Sequence, residues 1–451
     1  MQDFRVLSPT GILGYGFPAE SFMRGVAEKP DLIAVDGGST DPGPYYLGAG
    51  KSFTDRRAVK RDLRFMLKEG VTRRIPVHIG TCGGSGAAPH LEWCRQIVHE
   101  IAAEEKLSFR MAVIRSDVPH AVAHAALDAG KIRALDSVPP LTHERIDQTP
   151  YIVAQIGIEP FLEAIDTGAD VVIAGRSYDP VEFAALPIKL GYDSGLALHM
   201  GKILECAAIA ATPGSGADCV LGTLKQDSFV LKALNDERRF TAESTAAHSL
   251  YEKSDPFFLP GPGGRLNLTG CTFTEIGNGR VEVRGSRHEE SDPYFVKLEG
   301  SRRIGYRTVT IAGCRDPIMI RGIDGILAAA QEKVNGILKS ENLKAQVFFH
   351  VYGKDGVMGR LEPVKQTQSH EIGILVEVLG ATQEEADTVC SITRSTLLHY
   401  GYPGRVSTAG NLAFPFSPSD MRGGEVFEFS IYHLMEIADQ SLFAVSVEQV
   451  G

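Results

Sequence analysis

The sequence predicts an α/β fold: an N-terminal, mostly parallel sheet with helices on both faces, Rossmann-like, and a C-terminal α+β domain. Three observations predict it. In the first half, short apolar runs alternate with amphipathic helical stretches, the pattern of parallel βαβ units. In the second half, strand-like runs follow one another, with Gly277-Asn278-Gly279 as a hairpin signal. At 451 residues the chain exceeds one ordinary core, so two domains are expected, over residues 1–225 and 226–451.

Each element has its own warrant. Asp31 to Val35 and Ile75 to Ile79 are apolar runs that end in glycine-rich loops, and both read as strands. Pro89 to Glu105 reads as a helix with Leu91, Cys94, Ile97, Val98 and Ile101 on one side. Phe109 to Ile114 is a third strand, after which Ser116 or Asp117 is placed to cap the next helix, with Pro119 in its first turn. A helix from Glu159 to Thr167, stopped by Gly168, precedes a fourth strand from Asp170 to Ala174. Further on, Thr272 to Arg284 and Tyr294 to Ala312 suggest antiparallel strands. Then come a helix (Asp324 to Leu338), two strands (Ala345 to Tyr352, Glu371 to Leu379) and a helix (Thr382 to Tyr400).

Composition removes several function classes. A net charge of −10 argues against a nucleic-acid partner, which is bound through clustered Lys and Arg. The basic stretch Arg56, Arg57, Lys60, Arg61, Arg64 is spaced as a solvated helix face. No run reaches the ~18 apolar residues of a membrane span, and Met1 to Thr10 lacks the layout of a signal peptide, so a cytoplasmic, unanchored protein is expected. Seven cysteines without a Cys-x-x-Cys pair read as reduced thiols.

The chemistry is expected where strands end. Strand Ile75 to Ile79 feeds Gly80-Thr81-Cys82-Gly83-Gly84-Ser85-Gly86, whose N–H groups and hydroxyls suit a carboxylate or phosphate. Strand Asp31 to Val35 ends in Asp36-Gly37-Gly38-Ser39-Thr40-Asp41, followed by Tyr45 and Tyr46. Asp36 and Asp41 there offer an acid/base pair or two ligands for a divalent metal. Strand Asp170 to Ala174 ends in Gly175-Arg176-Ser177-Tyr178-Asp179, placing a planar cation beside a phenol and a carboxylate. Arg176 suits a substrate carboxylate, while a simple Arg176–Asp179 pair is the structural alternative. Gly264 and Arg265, in the loop Pro260 to Arg265, are placed to cover the site. His120 and His124 lack a third ligand of standard spacing and read as structural, as does His78 inside its apolar strand. Cys82 is a candidate nucleophile at a helix N-terminus, with a buried small residue as the alternative.

Four ordered segments carry a family resemblance: Thr81-Cys82-Gly83-Gly84; Gly168 to Arg176 with Asp179; Gly201-Lys202-Ile203-Leu204-Glu205-Cys206; and Leu250-Tyr251-Glu252 through Asp255-Pro256 to Gly263-Gly264. On these the chain resembles the acyclic terpene utilisation protein A (AtuA) family over nearly its whole length. The resemblance implies a bacterial catabolic protein of a cluster degrading citronellol- and geraniol-type terpenoids through CoA thioesters. Where the family carries an aromatic-Leu-Ala-Glu run, this chain has Gly37-Gly38-Ser39-Thr40. Longer members of the family carry an extra ferredoxin-like domain, so a small ferredoxin-like partner subunit is expected beside this chain, in an oligomer.

The function expected from these readings is a lyase of the hydratase or dehydratase kind, acting on a small hydroxy or unsaturated carboxylic acid or its CoA ester. Arg176 and the Gly-rich loop hold the anion, and Asp36, Asp41, Asp179 or Tyr178 move protons. Competing readings are an NADP-dependent oxidoreductase, a hydrolase using Cys82, and a non-catalytic assembly subunit. The cofactor is left open between none, a divalent metal and NADP.

Overall fold

The computed structural model describes residues 2–135, 137–251, 253–406 and 408–451. Met1 and Glu252, both named above, lie outside them. The chain forms two compact units, Met1–Arg302 with Phe429–Gly451, and Arg303–Glu428.

The first unit is organised by a ten-stranded sheet. In chain order the strands of the first 235 residues are β1 (Phe4–Ser8), β2 (Leu32–Asp36), β3 (Val77–Gly80), β4 (Phe109–Ile114), β5 (Ile132–Ala134), β6 (Ile152–Gln155), β7 (Val171–Ala174), β8 (Val220–Leu224) and β9 (Phe229–Ala233). They are followed by β10 (Phe258–Gly261), β11 (Gly264–Asn267), β12 (Thr272–Glu275), β13 (Arg280–Arg284), β14 (Arg287–Glu290) and β15 (Phe295–Cys314). The last four are β16 (Gln346–Tyr352), β17 (Ile372–Gly380), β18 (Asp420–Glu436) and β19 (Val445–Val450). The large sheet runs β12-β13-β9-β8-β1-β2-β3-β7-β4-β19. Its centre, β1-β2-β3-β7-β4, is parallel, and the flanking strands are antiparallel. The parallel strands expected from the sequence are therefore all present. Their side chains alternate between two apolar layers: Leu32, Ala34, Val172 and Ala174 face one, and Ile33, Val35, Val171 and Ile173 face the other. Helices Arg56–Arg73 and Ala88–Glu105 fill the second layer; Glu159–Asp166, Val181–Lys189 and Ser194–Leu204 fill the first.

Residues 226–302 complete this first unit, so the units divide elsewhere than at the expected 225/226. The physical reason is pairing: β8 returns antiparallel onto β1, and β9 and β13 extend the same sheet from there. The hairpin at Gly277–Gly279 is the β12–β13 turn. The second unit pairs β16 and the end of β15 with β17, against helices Ile323–Ser340 and Gln383–Leu398 around their own core. It is α+β, as expected.

One local expectation changes. Asp117 accepts from the N–H of Ala88 (2.9 Å) and so caps the preceding helix instead of the next one, which starts at His120 with no side-chain cap. The basic stretch Arg56, Lys60 and Arg64 lies against Glu100, Glu104 and Glu105 of the neighbouring helix, where its charge is matched. Among the described residues no helix is long and apolar enough to cross a membrane.

Gly86 shows what the glycine-rich loop requires. With φ +69°, a Cβ here would stand 2.0 Å from the Arg176 backbone nitrogen. At Gly168, φ is +73° and a Cβ would meet nothing within 4 Å. Gly168→Ala is expected to cost only the left-handed strain, about 1–2 kcal/mol, whereas Gly86→Ala adds a backbone clash and should melt far earlier. Equal melting temperatures for the two variants would show that Gly86 is not needed for loop packing.

Candidate active site

Strands β2, β3 and β7 are neighbours in the sheet and run in one direction, so the loops leaving their C-terminal ends share one rim. The register sets them level, with Asp36 opposite Gly80 and Ile79 opposite Ile173. Hydrogen bonds then tie loop to loop. The Gly37 N–H donates to Gly80 O (2.9 Å), Cys82 N–H to Ala174 O (2.9 Å), and Arg176 N–H to Ser116 Oγ (2.6 Å). Ser116, following β4, in turn donates to Gly86 O (3.1 Å). The N–H groups of Thr81, Cys82, Gly84 and Gly86 are all used within the protein. The glycines consequently serve close approach between loops: a Cβ on Gly37 would stand 2.5 Å from Thr81 O, and one on Gly80 2.3 Å from the Glu182 carboxyl.

Arg176 sits at the centre and is 2 % exposed. Its Nε donates to Glu299 Oε2 (2.9 Å), and its Nη1 to Asp179 Oδ1 (2.7 Å), to Ser177 O (2.7 Å) and to Thr81 Oγ1 (3.3 Å). Glu299 reaches it from β15, which pairs with β6, and also lies 2.6 Å from Lys297 Nζ. The Arg176–Asp179 ion pair named as the structural alternative is therefore present. Oxygens of Asp36, Asp179 and Glu205 lie within 4.8 Å of one another. Lys202, buried on helix Ser194–Leu204, pairs with Glu205. Asp36 Oδ1, Glu182 Oε1 and Ser85 Oγ are buried with no hydrogen-bond partner.

The electrostatics separate these carboxyls. Burial, reinforced by Asp179 and Glu205, pushes Asp36 well above the usual range, and burial together with Asp36 does the same to Glu182. Burial lifts Glu205 to about 7 against the pull of Lys202. For Asp179 and Glu299 burial acts the same way but is outweighed: Arg176 with Lys202 lowers Asp179, and Arg176 with Lys297 holds Glu299 at about 2. Burial keeps the Tyr178 hydroxyl protonated far above its ordinary value. One site thus holds carboxyls that favour the acid form beside carboxyls held ionised, the arrangement from which acid and base roles are drawn.

The family model for the acyclic terpene utilisation family protein AtuA matches residues 59–219 and 225–416. The chain belongs to this family. Its description is one of acyclic terpene utilisation, a catabolic role. Comparison with curated proteins and with solved structures found no match. The family match takes in the Thr81 and Arg176 loops and the Lys202–Glu205 segment, while the loop from Asp36 to Tyr46 lies before it.

The residues singled out in the sequence fall into three places. Asp36, Thr81, Arg176 and Asp179 meet in the cluster just described. Tyr178 adjoins it and also lines a cavity of ≈ 370 Å³ with Gly264 and Arg265. Arg265 is half exposed there, paired with Glu289 and lying over the Phe258 ring. Thr40 and Asp41 line a different cavity, of ≈ 360 Å³, with Arg145, Tyr432 and His433. Asp41 is exposed and is not in the carboxyl trio with Asp36, because the turn after Thr40 carries it outward. Ser39 Oγ accepts from the Asp41 N–H (3.2 Å), and Tyr45 packs edge-on against Tyr46. Gly83 and Gly84 pack on His90 and Phe53. Cys82 is fully buried, its thiol pushed well up by burial, which weighs against a nucleophile. His78 bonds Glu182 O (3.0 Å) and is held near 4 by burial, a satisfied core histidine as expected. His120 bonds Thr149 O (2.8 Å).

Five participants escape a reading based on strand ends: Glu182, Lys202, Glu205, Lys297 and Glu299. A signal existed for two of them. Helix Ser194–Leu204 is buried on every side, so Lys202 within it and Glu205 at its end are charges in an apolar setting, which persist only when paired.

Glu299→Gln is expected to destabilise the first unit by about 3–5 kcal/mol, because it strips a buried guanidinium of a carboxylate. The effect depends on pH with a definite sign. Glu299 falls from an ordinary 4.5 to about 2 on folding, so its contribution is full above 4.5 and fades as pH falls towards 2. Melting curves of wild type and variant should therefore converge through that window; a gap independent of pH would refute the assignment.

Proposed function

We propose that the chain is a lyase of the hydratase or dehydratase type, acting on a small hydroxy or unsaturated carboxylic acid or its CoA ester. The observation that carries this reading is the convergence of Asp36, Asp179 and Glu205 within 4.8 Å, walled by Arg176 and Lys202. Adding or removing water next to a carboxylate needs one group to take a proton from carbon and another to protonate the departing hydroxyl. It also needs positive charge for the anion. The cluster offers all of these on rigid elements.

Within this reading Arg176 positions Asp179 and contributes its charge to the anion, since its Nε and Nη1 donors are engaged by the protein. The proton carriers are Asp36, Asp179 and Tyr178. The cavity beside Tyr178, with Gly264 and Arg265 in its lining, accommodates the rest of the substrate. Apolar Ile158, Leu259 and Leu266 in the same lining favour a carbon skeleton over a purely polar one.

The test is proton exchange. The pure protein is incubated in D2O with 2-hydroxy, 3-hydroxy and unsaturated acids and their CoA esters, and NMR follows deuterium entry and loss of the double bond. Turnover with at least one substrate is expected; hydride transfer from NADPH without any exchange would replace the reading with the oxidoreductase. In Tyr178→Phe the ring that packs on Gly261 stays, so melting should hold while turnover falls by about 10²–10⁴. A variant that melts early but keeps its rate per folded molecule would leave Tyr178 a packing residue only.

A further inference from the structure

The carboxyl trio has a second property beyond acid–base chemistry. Like charges gathered in a buried site repel unless a proton or a cation relieves them. Asp179 and Glu205 each give one oxygen to a cation of the protein: Asp179 Oδ1 to Arg176, and Glu205 Oε1 to Lys202. Asp36 Oδ1 has no partner although Asp36 is only 4 % exposed. Independently of these three, Glu182 sends a fully buried carboxyl to the same place. It lies against Gly80, the register partner of Asp36; its Oε1 is unpartnered, and the charges of all three trio members reach it. Nature seldom leaves unpaired carboxyl oxygens this deep without a use for them.

From this geometry we propose that Asp36, Asp179 and Glu205 hold a divalent, oxygen-seeking cation. Two oxygens on opposite sides of Ca²⁺ stand about 4.6–5.2 Å apart, and across Mg²⁺ about 4.0–4.2 Å, twice the respective bond lengths. The trio's oxygens, all within 4.8 Å of one another, lie inside the span that either ion bridges. Three carboxylates leave coordination positions open to water or to a substrate oxygen. Glu182 is not one of the ligands; its carboxyl lies against Gly80, next to the site. Arg176 and Lys202 hold two of the ligands in place from outside, the orienting role that neighbours of metal ligands play. With the ion bound, Asp36 and Asp179 are ligands, and of the proton carriers named above Tyr178 remains.

The test needs no substrate, so it stands or falls separately from the lyase reading. Full-length protein is freed of metal with chelator and titrated with MgCl2, MnCl2 and CaCl2 by calorimetry, with Mn²⁺ also followed by the loss of its free EPR signal. Saturable one-to-one binding by at least one ion is expected, with a melting temperature raised by roughly 2–4 °C at saturation. Asp36→Asn and Glu205→Gln should each weaken binding on the order of ten- to a hundredfold. Their melting without metal identifies which of them folds, and Glu163→Gln, on an exposed helix face, should bind as wild type does. No saturable binding of any of the three ions overturns the proposal, as does unchanged affinity in either folded variant.

Discussion

A guanidinium cannot be buried alone, and Arg176 is the group around which this site had to be arranged. Its charge follows directly on β7, in the middle of a parallel sheet, where water cannot reach it. Glu299 and Asp179 neutralise it from two directions, and Ser177 and Thr81 take the remaining donors of Nη1. Once these partners are fixed, the ends of β3 and β7 and the first residues of β15 are fixed with them. Removing any carboxylate leaves a desolvated charge, which costs far more than the ion pair contributes.

The glycine-rich loop belongs to the same constraint. A loop of four glycines in seven residues suggests an open cradle for an anion. Here it is packed shut, with four of its N–H groups bonded within the loop or to Ala174 and Ser177, and its missing Cβ atoms making room for Arg176, Glu182, His90 and Phe53. The close approach those glycines allow is between protein segments. Charge at the site comes from side chains.

Much of this was legible in the sequence, for definite reasons. Asp36, Thr81, Arg176 and Asp179 each follow an apolar run at the end of a parallel strand, and parallel strands bring such ends to one rim. Neither Glu299 nor Asp41 could be placed this way. Glu299 is 123 residues from Arg176, joined to it only through the antiparallel register of β15 on β6, which no local pattern encodes. Asp41 is five residues from Asp36, yet one turn carries it to another cavity. Asp117 shows the same limit at short range: it precedes one helix and caps another. Lys202 and Glu205 sat in plain view, as charges in an apolar helix, and reading them needs the rule that buried charges are paired.

The division of the chain has a consequence for how the protein comes into being on the ribosome. The first unit is made of residues 1–302 and 429–451, with residues 303–428 inserted between them. Its sheet receives the outer strand beside β4 only from Val445–Val450, which are synthesised after the inserted unit. At a synthesis rate of about 5–20 residues per second, the half-built sheet must wait roughly 6–25 seconds with the β4 margin uncovered while the inserted unit emerges. An unpaired strand margin is an invitation to aggregate. This protein's yield in a foreign host should thus depend less on its final stability than on the chaperones that shield it during that interval.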